Sequence, residues 1–237
     1  MSKFRASIDS MEGFRVDTIT AANGEQIDFI FFHHASFAIS TPHHIIYVDP
    51  VSEYAPYETL PKADLILITH SHYDHLDVEA IDAVKSVDMP IICDKTSANI
   101  LEREVLMMSH GSEVKPIDGV KIEGVAAYNT TPGHLQFHPK EREDCGYILT
   151  LCGTRIYIAG DTENTPEVKS VTGVDIAFLP VNQPYTMTVD QAIDAVKAIR
   201  PQIFYPYHYG GGDSVTDIDA LVEGLKGVCE VRVRDME

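Results

Sequence analysis

Apolar residues along this chain fall in short unbroken runs, not in long alternating ones. Residues 29–32, 37–39, 45–48 and 65–68 form a first group, and residues 146–151, 156–158, 176–179 and 203–205 a second. Runs of this length without polar alternation predict strands buried on both faces. Between them a helical period appears. Val189, Ile193, Val196 and Ile199 make one stripe, opened by Thr188 and Gln191 at capping-box spacing and closed by Pro201. Ile218, Leu221, Val222 and Leu225 make a second, with Gly227 just beyond it. Val78, Ile81 and Val84 predict a further helix, and Leu101, Val105 and Met108 another. Thr165 before Pro166 reads as the cap and first residue of a short helix. His43 and His44, behind Pro42, read as a hairpin turn. Strands, then strands mixed with helices, predict an α/β protein whose sheets are covered by helices. No repeat or linker divides the 237 residues, so a single domain over 1–237 is expected.

Charge and composition narrow the functional classes. Thirty-six acidic residues against 18 basic ones give a net charge of −18. Long-range repulsion disfavours nucleic acid and anionic membrane surfaces, but less so a small anionic substrate near bound cations. No apolar run approaches the ~20 residues needed to span a bilayer, so no membrane insertion is expected. Residues 1–10 carry Lys3 and Arg5 without a following apolar stretch, which predicts no signal peptide and a cytoplasmic protein. Cys93, Cys145, Cys152 and Cys229 form no C-x-x-C pair, so neither a zinc ribbon nor a disulfide framework is expected.

Several predicted strands run directly into residues able to bind metal. Residues 65–68 lead to Thr69-His70, 156–159 to Gly160-Asp161, 203–205 through Pro206-Tyr207 to His208, and 45–48 to Asp49. The strongest signal is His70-x-His72-x-Asp74-His75. In an extended segment His70 and His72 point the same way and can grip one cation. The turn into a helix near Asp77 aims Asp74 and His75 elsewhere, toward a second. Imidazole and carboxylate donors suit zinc, manganese or iron. Asp49 reads as a carboxylate that orients a ligand histidine. His34 is either site-lining or a satisfied interior histidine. Tyr185, Met187 and Tyr207 either line the pocket or pack, and His110 reads as exposed. The glycine run 210–212 lacks a phosphate-loop pattern and reads as flexible chain beside the site.

The run from His70 to His75 resembles the H-x-H-x-D-H signature of the metallo-β-lactamase superfamily. Asp49-Pro50 is similar to its first motif, Ala159-Gly160-Asp161-Thr162 to its fourth, and Pro206-Tyr207-His208 to its fifth. The likeness spans roughly residues 28 to 212. Phe32-His33-His34-Ala35-Ser36 resembles the UlaG-like metal-dependent hydrolases, except that His33 stands where they carry glycine. The segment His72 to Asp77 also resembles the N-acyl-phosphatidylethanolamine phospholipase D branch. The third motif has two candidates. Thr131-Pro132-Gly133-His134 favours His134, and an alternative alignment through Asn129 and Pro139 favours His138.

The resemblance implies an αββα four-layer sandwich and two divalent metal ions, zinc first, manganese or iron as alternatives. His70, His72, Asp74, His75, Asp161, His208 and one of His134 or His138 would be ligands. Asp161 would bridge the ions, and Asp74 or a water on it would pass a proton to the leaving group. A metal-activated hydroxide would attack a lactone or carboxylic ester of a small polar metabolite. The alternatives are a phosphodiesterase and a non-catalytic metal- or ligand-binding protein. Basic side chains facing the metals would favour the phosphodiesterase, and Lys140, Arg142 and Arg155 are the nearest in sequence. The expected partner is a small-molecule substrate, with an oligomer left open.

Overall fold

The computed structural model describes residue 11, residues 13–210 and residues 215–237. The expectations for residues 1–10 and for Gly211 and Gly212 lie outside these. Strands β1 (Arg15–Thr20), β2 (Gln26–His33), β3 (Ser36–Ser40), β4 (Ile45–Val48), β5 (Leu65–Leu67), β6 (Ile91–Cys93) and β7 (Leu106–Met107) form one sheet in chain order. The second sheet comprises β8 (Glu113–Ile117), β9 (Val120–Ala126), β10 (Cys145–Leu151), β11 (Thr154–Ile158), β12 (Ile176–Pro180), β13 (Ile203–Tyr207) and β14 (Glu230–Val231). Each sheet opens as an antiparallel meander and continues with parallel strands.

The unbroken apolar runs have a direct structural cause. On β2, Phe29 and Phe31 face the second sheet while Ile30 and Phe32 face outward into another apolar cluster. Successive side chains on a strand point to opposite faces, so a strand covered on both sides must be apolar throughout. Between the sheets Phe37 stacks on Phe178 at 4.6 Å and Phe178 on Tyr205 at 4.8 Å. Burying such a ring contributes roughly 1.5–3 kcal/mol each.

Helices α1 (Val78–Val84) and α2 (Lys95–Leu101) cover the outer face of the first sheet through Ala80, Ile81, Val84 and Leu101. On the second sheet α3 (Pro166–Lys169), α4 (Val189–Ile199) and α5 (Ile218–Gly224) contribute Val168, Ala192, Val196, Ile199 and Leu221. The architecture is the αββα sandwich. Thr188 and Gln191 form the capping box reciprocally, and Thr165 caps α3.

One predicted helix is overturned. Leu101, Val105 and Met108 do not share a helix. Asp94 caps α2 earlier, Glu102 takes a left-handed φ of 48° that ends it, and Leu106–Met107 pair with β6 as a parallel strand. The edge strands β1, β7, β8 and β14, together with β6 and β9, have no counterpart among the unbroken runs.

Candidate metal centre

The site gathers at the carboxyl ends of strands from both sheets. Asp49 follows β4, Thr69 and His70 lie just past β5, Asp161 follows β11, Asn182 follows β12 and His208 follows β13. His34 comes from the turn joining β2 to β3. Three of these residues hold a left-handed backbone, His34 at φ 56°, Asp49 at 42° and His208 at 49°. That conformation is costly outside glycine, and the packed strand ends on either side impose it. At Gly160, with φ 65°, an added Cβ would also press within 3.1 Å of Thr69.

Two four-residue groups result. His70, His72, His138 and Asp161 place one donor atom each within 4.8 Å of one another, and so do His34, Asp74, His75 and His208. Asp161 lies between them. Its Oδ2 is 3.3 Å from His138 Nε2 and 3.2 Å from His208 Nε2, and its Oδ1 is 3.4 Å from His75 Nε2. His70 Nε2 stands 3.1 Å from His72 Nδ1. Donors bound about 2.0–2.2 Å from one ion lie roughly 3–4 Å apart, so the spacing suits ligation.

The surrounding hydrogen bonds decide which ring nitrogen is free. The Thr69 hydroxyl donates to Asp49 Oδ2 at 2.7 Å and so accepts from His70 Nδ1 at 3.1 Å. His75 Nδ1 donates to Asp49 Oδ2 at 2.8 Å, and His138 Nδ1 to the Tyr185 carbonyl at 3.1 Å. Each ring thus turns an Nε2 lone pair inward, the tautomer a metal requires. His75 Nε2, His138 Nε2, His208 Nε2 and Asp161 Oδ1 are buried without a hydrogen-bond partner. Buried polar atoms rarely remain orphaned. Four convergent ones of this chemistry fit a divalent cation.

The electrostatics agree. Against the cost of burial, Asp161 and then Asp49 raise His75 well above the ordinary histidine range. Against the same cost, Asp161 and Asp74 raise His208 to about 9. Burial resists ionisation of Asp161, but His208 and His75 hold it well below the usual carboxylate range. The centre therefore favours positive charge among its carboxylates. Burial, then Arg142, lowers His72 to about 4.

At two points where the sequence left alternatives open, the structure places the candidates apart. Of the third-motif candidates, His138 enters the cluster and His134 does not. The Thr-Pro-Gly-His turn is clasped by Glu163, whose Oε2 accepts from the Thr130 and Thr131 amides at 2.8 Å each. His134 Nδ1 is left 3.8 Å from Glu163 Oε1, away from the other histidines. Tyr207 is fully buried in the core and does not line the cavity, as is Met187. His34 does more than expected, since it faces the second group directly. Asn182, which lies 3.4 Å from His208 Nδ1, had no sequence signal beyond following an apolar run. His110 is exposed and His43–His44 occupy the β3–β4 turn, as expected.

A cavity of about 640 Å³ opens over both groups. Tyr54, Tyr73, Phe137 and Tyr185 supply aromatic walls, and Glu53 and Glu237 add carboxylates to those of Asp74 and Asp161.

Residues 28–208 match the family model described as a beta-lactamase superfamily domain. A UPF0173 metal-dependent hydrolase of Thermoplasma acidophilum is 31% identical over 86% of this chain and 92% of its own length. A crystal structure from Parabacteroides distasonis, assigned as a metal-dependent hydrolase, is 48% identical with a TM-score of 0.89, covering 94% of this chain and 100% of that one. A metallo hydrolase of Ignicoccus hospitalis shares the fold at 22% identity and a TM-score of 0.73, over 89% of this chain and 95% of its own. The chain belongs to the beta-lactamase superfamily, among its UPF0173 metal-dependent hydrolases.

Proposed function

We propose that the centre holds two divalent ions, zinc first with manganese or iron as alternatives, and hydrolyses a lactone or carboxylic ester of a small polar metabolite. His70, His72 and His138 would hold one ion, Asp74, His75 and His208 the other, with Asp161 shared. Such ions would polarise the scissile carbonyl and lower the pKa of a nearby water. Asp49 and Thr69 keep His70 and His75 in the tautomer that presents Nε2. Asp74 reaches the cavity, where a water held on it can pass a proton to the leaving oxygen.

The observation that carries the substrate class is the lining of the cavity. Among the described residues it presents histidines, carboxylates, aromatic rings and Asn182, and neither lysine nor arginine. The nearest guanidinium, Arg142, reaches His72 Nε2 from Nη1 at 2.6 Å behind the ligand ring, and its charge is tied by Nε to both oxygens of Asp144 at 2.7 and 2.9 Å. A phosphodiester would bring its negative charge against Glu53 and Glu237, with neither lysine nor arginine lining the cavity to offset it. A neutral acyl group meets no such repulsion. Phosphodiesterase activity is thus the weaker reading, and a purely metal-binding role would use the donor set but not the aromatic-walled cavity that opens over it.

The test is a panel of lactones, carboxylic esters and phosphodiesters with the metal-loaded protein. Expected is a kcat/KM for the best neutral acyl substrate at least about tenfold above any phosphodiester, a difference of ~1.4 kcal/mol. Preference for a phosphodiester would overturn the acyl assignment, and no turnover across the panel would favour the binding role.

A further inference from the structure

His34 lies outside the seven histidine and aspartate ligands expected from the H-x-H-x-D-H run and the later motifs, yet its ring is held as the ligand histidines are. Its Nδ1 is 3.1 Å from the Glu237 main-chain oxygen. That oxygen only accepts, so Nδ1 must carry the hydrogen. In the neutral ring Nε2 then keeps its lone pair. This Nε2 stands 3.2 Å from Asp74 Oδ2, another acceptor. Two acceptors facing each other at that separation repel unless a cation lies between or beside them. His34, Asp74, His75 and His208 each bring one donor atom within 4.8 Å of the others, and the His34 ring centroid lies 3.8 Å from that of His208. A metal ion shared among the four satisfies both facing acceptors.

We infer that His34 is a direct ligand of the second metal position, presenting Nε2 alongside Asp74, His75 and His208. The inference rests on the dinuclear reading above and deepens it. His34 copies the arrangement of His138, with Nδ1 fixed by a backbone carbonyl and Nε2 aimed at the centre. With Asp161 shared, the second position has five protein donors and the first has four. The first therefore keeps the more open coordination for water and substrate, while the second is the more firmly held ion. The carbonyl that orients His34 belongs to a segment packed against Tyr209 and Gly210. Met236 is buried there, and an added Cβ on Gly210 would meet Glu237 at 2.6 Å.

The decisive measurement is a crystal structure of the zinc- or manganese-loaded full chain, with anomalous scattering to locate the ions. Expected is His34 Nε2 about 2.0–2.2 Å from the ion nearer Asp74. Two ions with His34 Nε2 more than about 3 Å from both, still hydrogen-bonded to Asp74, would overturn this inference and leave the dinuclear reading standing. No ion in the second position would overturn both. In solution, His34→Ala should weaken one of the two ions in a chelator competition by more than the roughly 10–100-fold that loss of an outer partner costs. The other ion should be retained as in the parent. A loss of about a hundredfold or less would place His34 outside the coordination sphere. Melting of the metal-free variant against the metal-free parent separates this effect from damage to the fold.

Discussion

At the residue scale, identity and role separate most sharply at His134 and His138. Both follow the same strand, and three residues divide them. What distinguishes them is the Tyr185 carbonyl, 47 residues further along, which takes the His138 Nδ1 hydrogen and turns Nε2 toward Asp161. Glu163 meanwhile clasps the turn that carries His134. Neither partner is adjacent in sequence, so the local motif left both open. His70, His72, Asp74 and His75 were legible because their spacing alone fixes which way they face. His34 was not, since its direction depends on a left-handed turn and on Glu237. The geometry predicts an asymmetric result for His138→Ala and His134→Ala. The first should weaken one ion by more than about a hundredfold in chelator competition, and the second should leave both within about threefold. Equal losses would show that the histidine at 138 is not a ligand.

At the element scale, legibility followed burial. Strands packed on both faces are apolar throughout and stand out as runs where the run is long enough, which is why β2 to β5 and β10 to β13 were recoverable, whereas β6, buried but only Ile91–Cys93 long, was not. β1 and β8 have exposed or half-exposed residues along most of their length, and β7 and β14 contain two residues each. Such strands exist because a neighbour offers them hydrogen bonds, and that neighbour is invisible locally. The same reason explains the misread helix, where Leu101, Val105 and Met108 fit a helical period but β6 recruits Leu106–Met107 as its partner. Helix α4 was legible from its cap. Thr188 Oγ1 accepts from the Gln191 amide at 3.1 Å, and Gln191 returns the bond to the Thr188 amide at 2.8 Å. Thr188→Ala should cost about 1 kcal/mol, and lower the melting temperature by roughly 2–4 °C in a chain of this size. Metal affinity should be unchanged, because the cap stabilises the helix without touching a ligand. A large loss of metal instead would mean that the cap also fixes the preceding loop and its Tyr185 carbonyl.

At the scale of the whole molecule, the two sheets must stay in register for a site whose candidate ligands come from both. Apolar packing between them is non-directional, so a directional clasp matters, and Asp17 on β1 supplies one. Its carboxylate accepts from Tyr205 Oη on β13 at 2.9 Å and from Arg234 Nε at 2.9 and 3.0 Å. Burial works against this carboxylate, but Arg234 and Tyr205 hold its pKa below the ordinary value of 3.8. The folded state therefore binds its proton less readily than the unfolded chain does. A depressed carboxylate contributes stability that is fully present above the unfolded pKa and is lost as pH falls through the folded one. Asp17→Asn should accordingly lower stability by about 2 kcal/mol at neutral pH, the scale of hydrogen bonds to a charged group. The gap between variant and parent should close as pH drops below about 4, where the parent's carboxylate begins to protonate. Denaturant melts of both proteins in metal-free buffer at pH 7 and across pH 3 to 5 would measure it, and a gap that stayed constant with pH would remove the charge from the explanation. The clasp also reaches the site. Arg234 precedes Glu237 by three residues, and the Glu237 carbonyl fixes the His34 ring. Loosening Arg234 should thus reduce retention of the ion beside His34 more than that of the ion beside His138. This difference in retention links the closure of the sandwich to the loading of its metal centre.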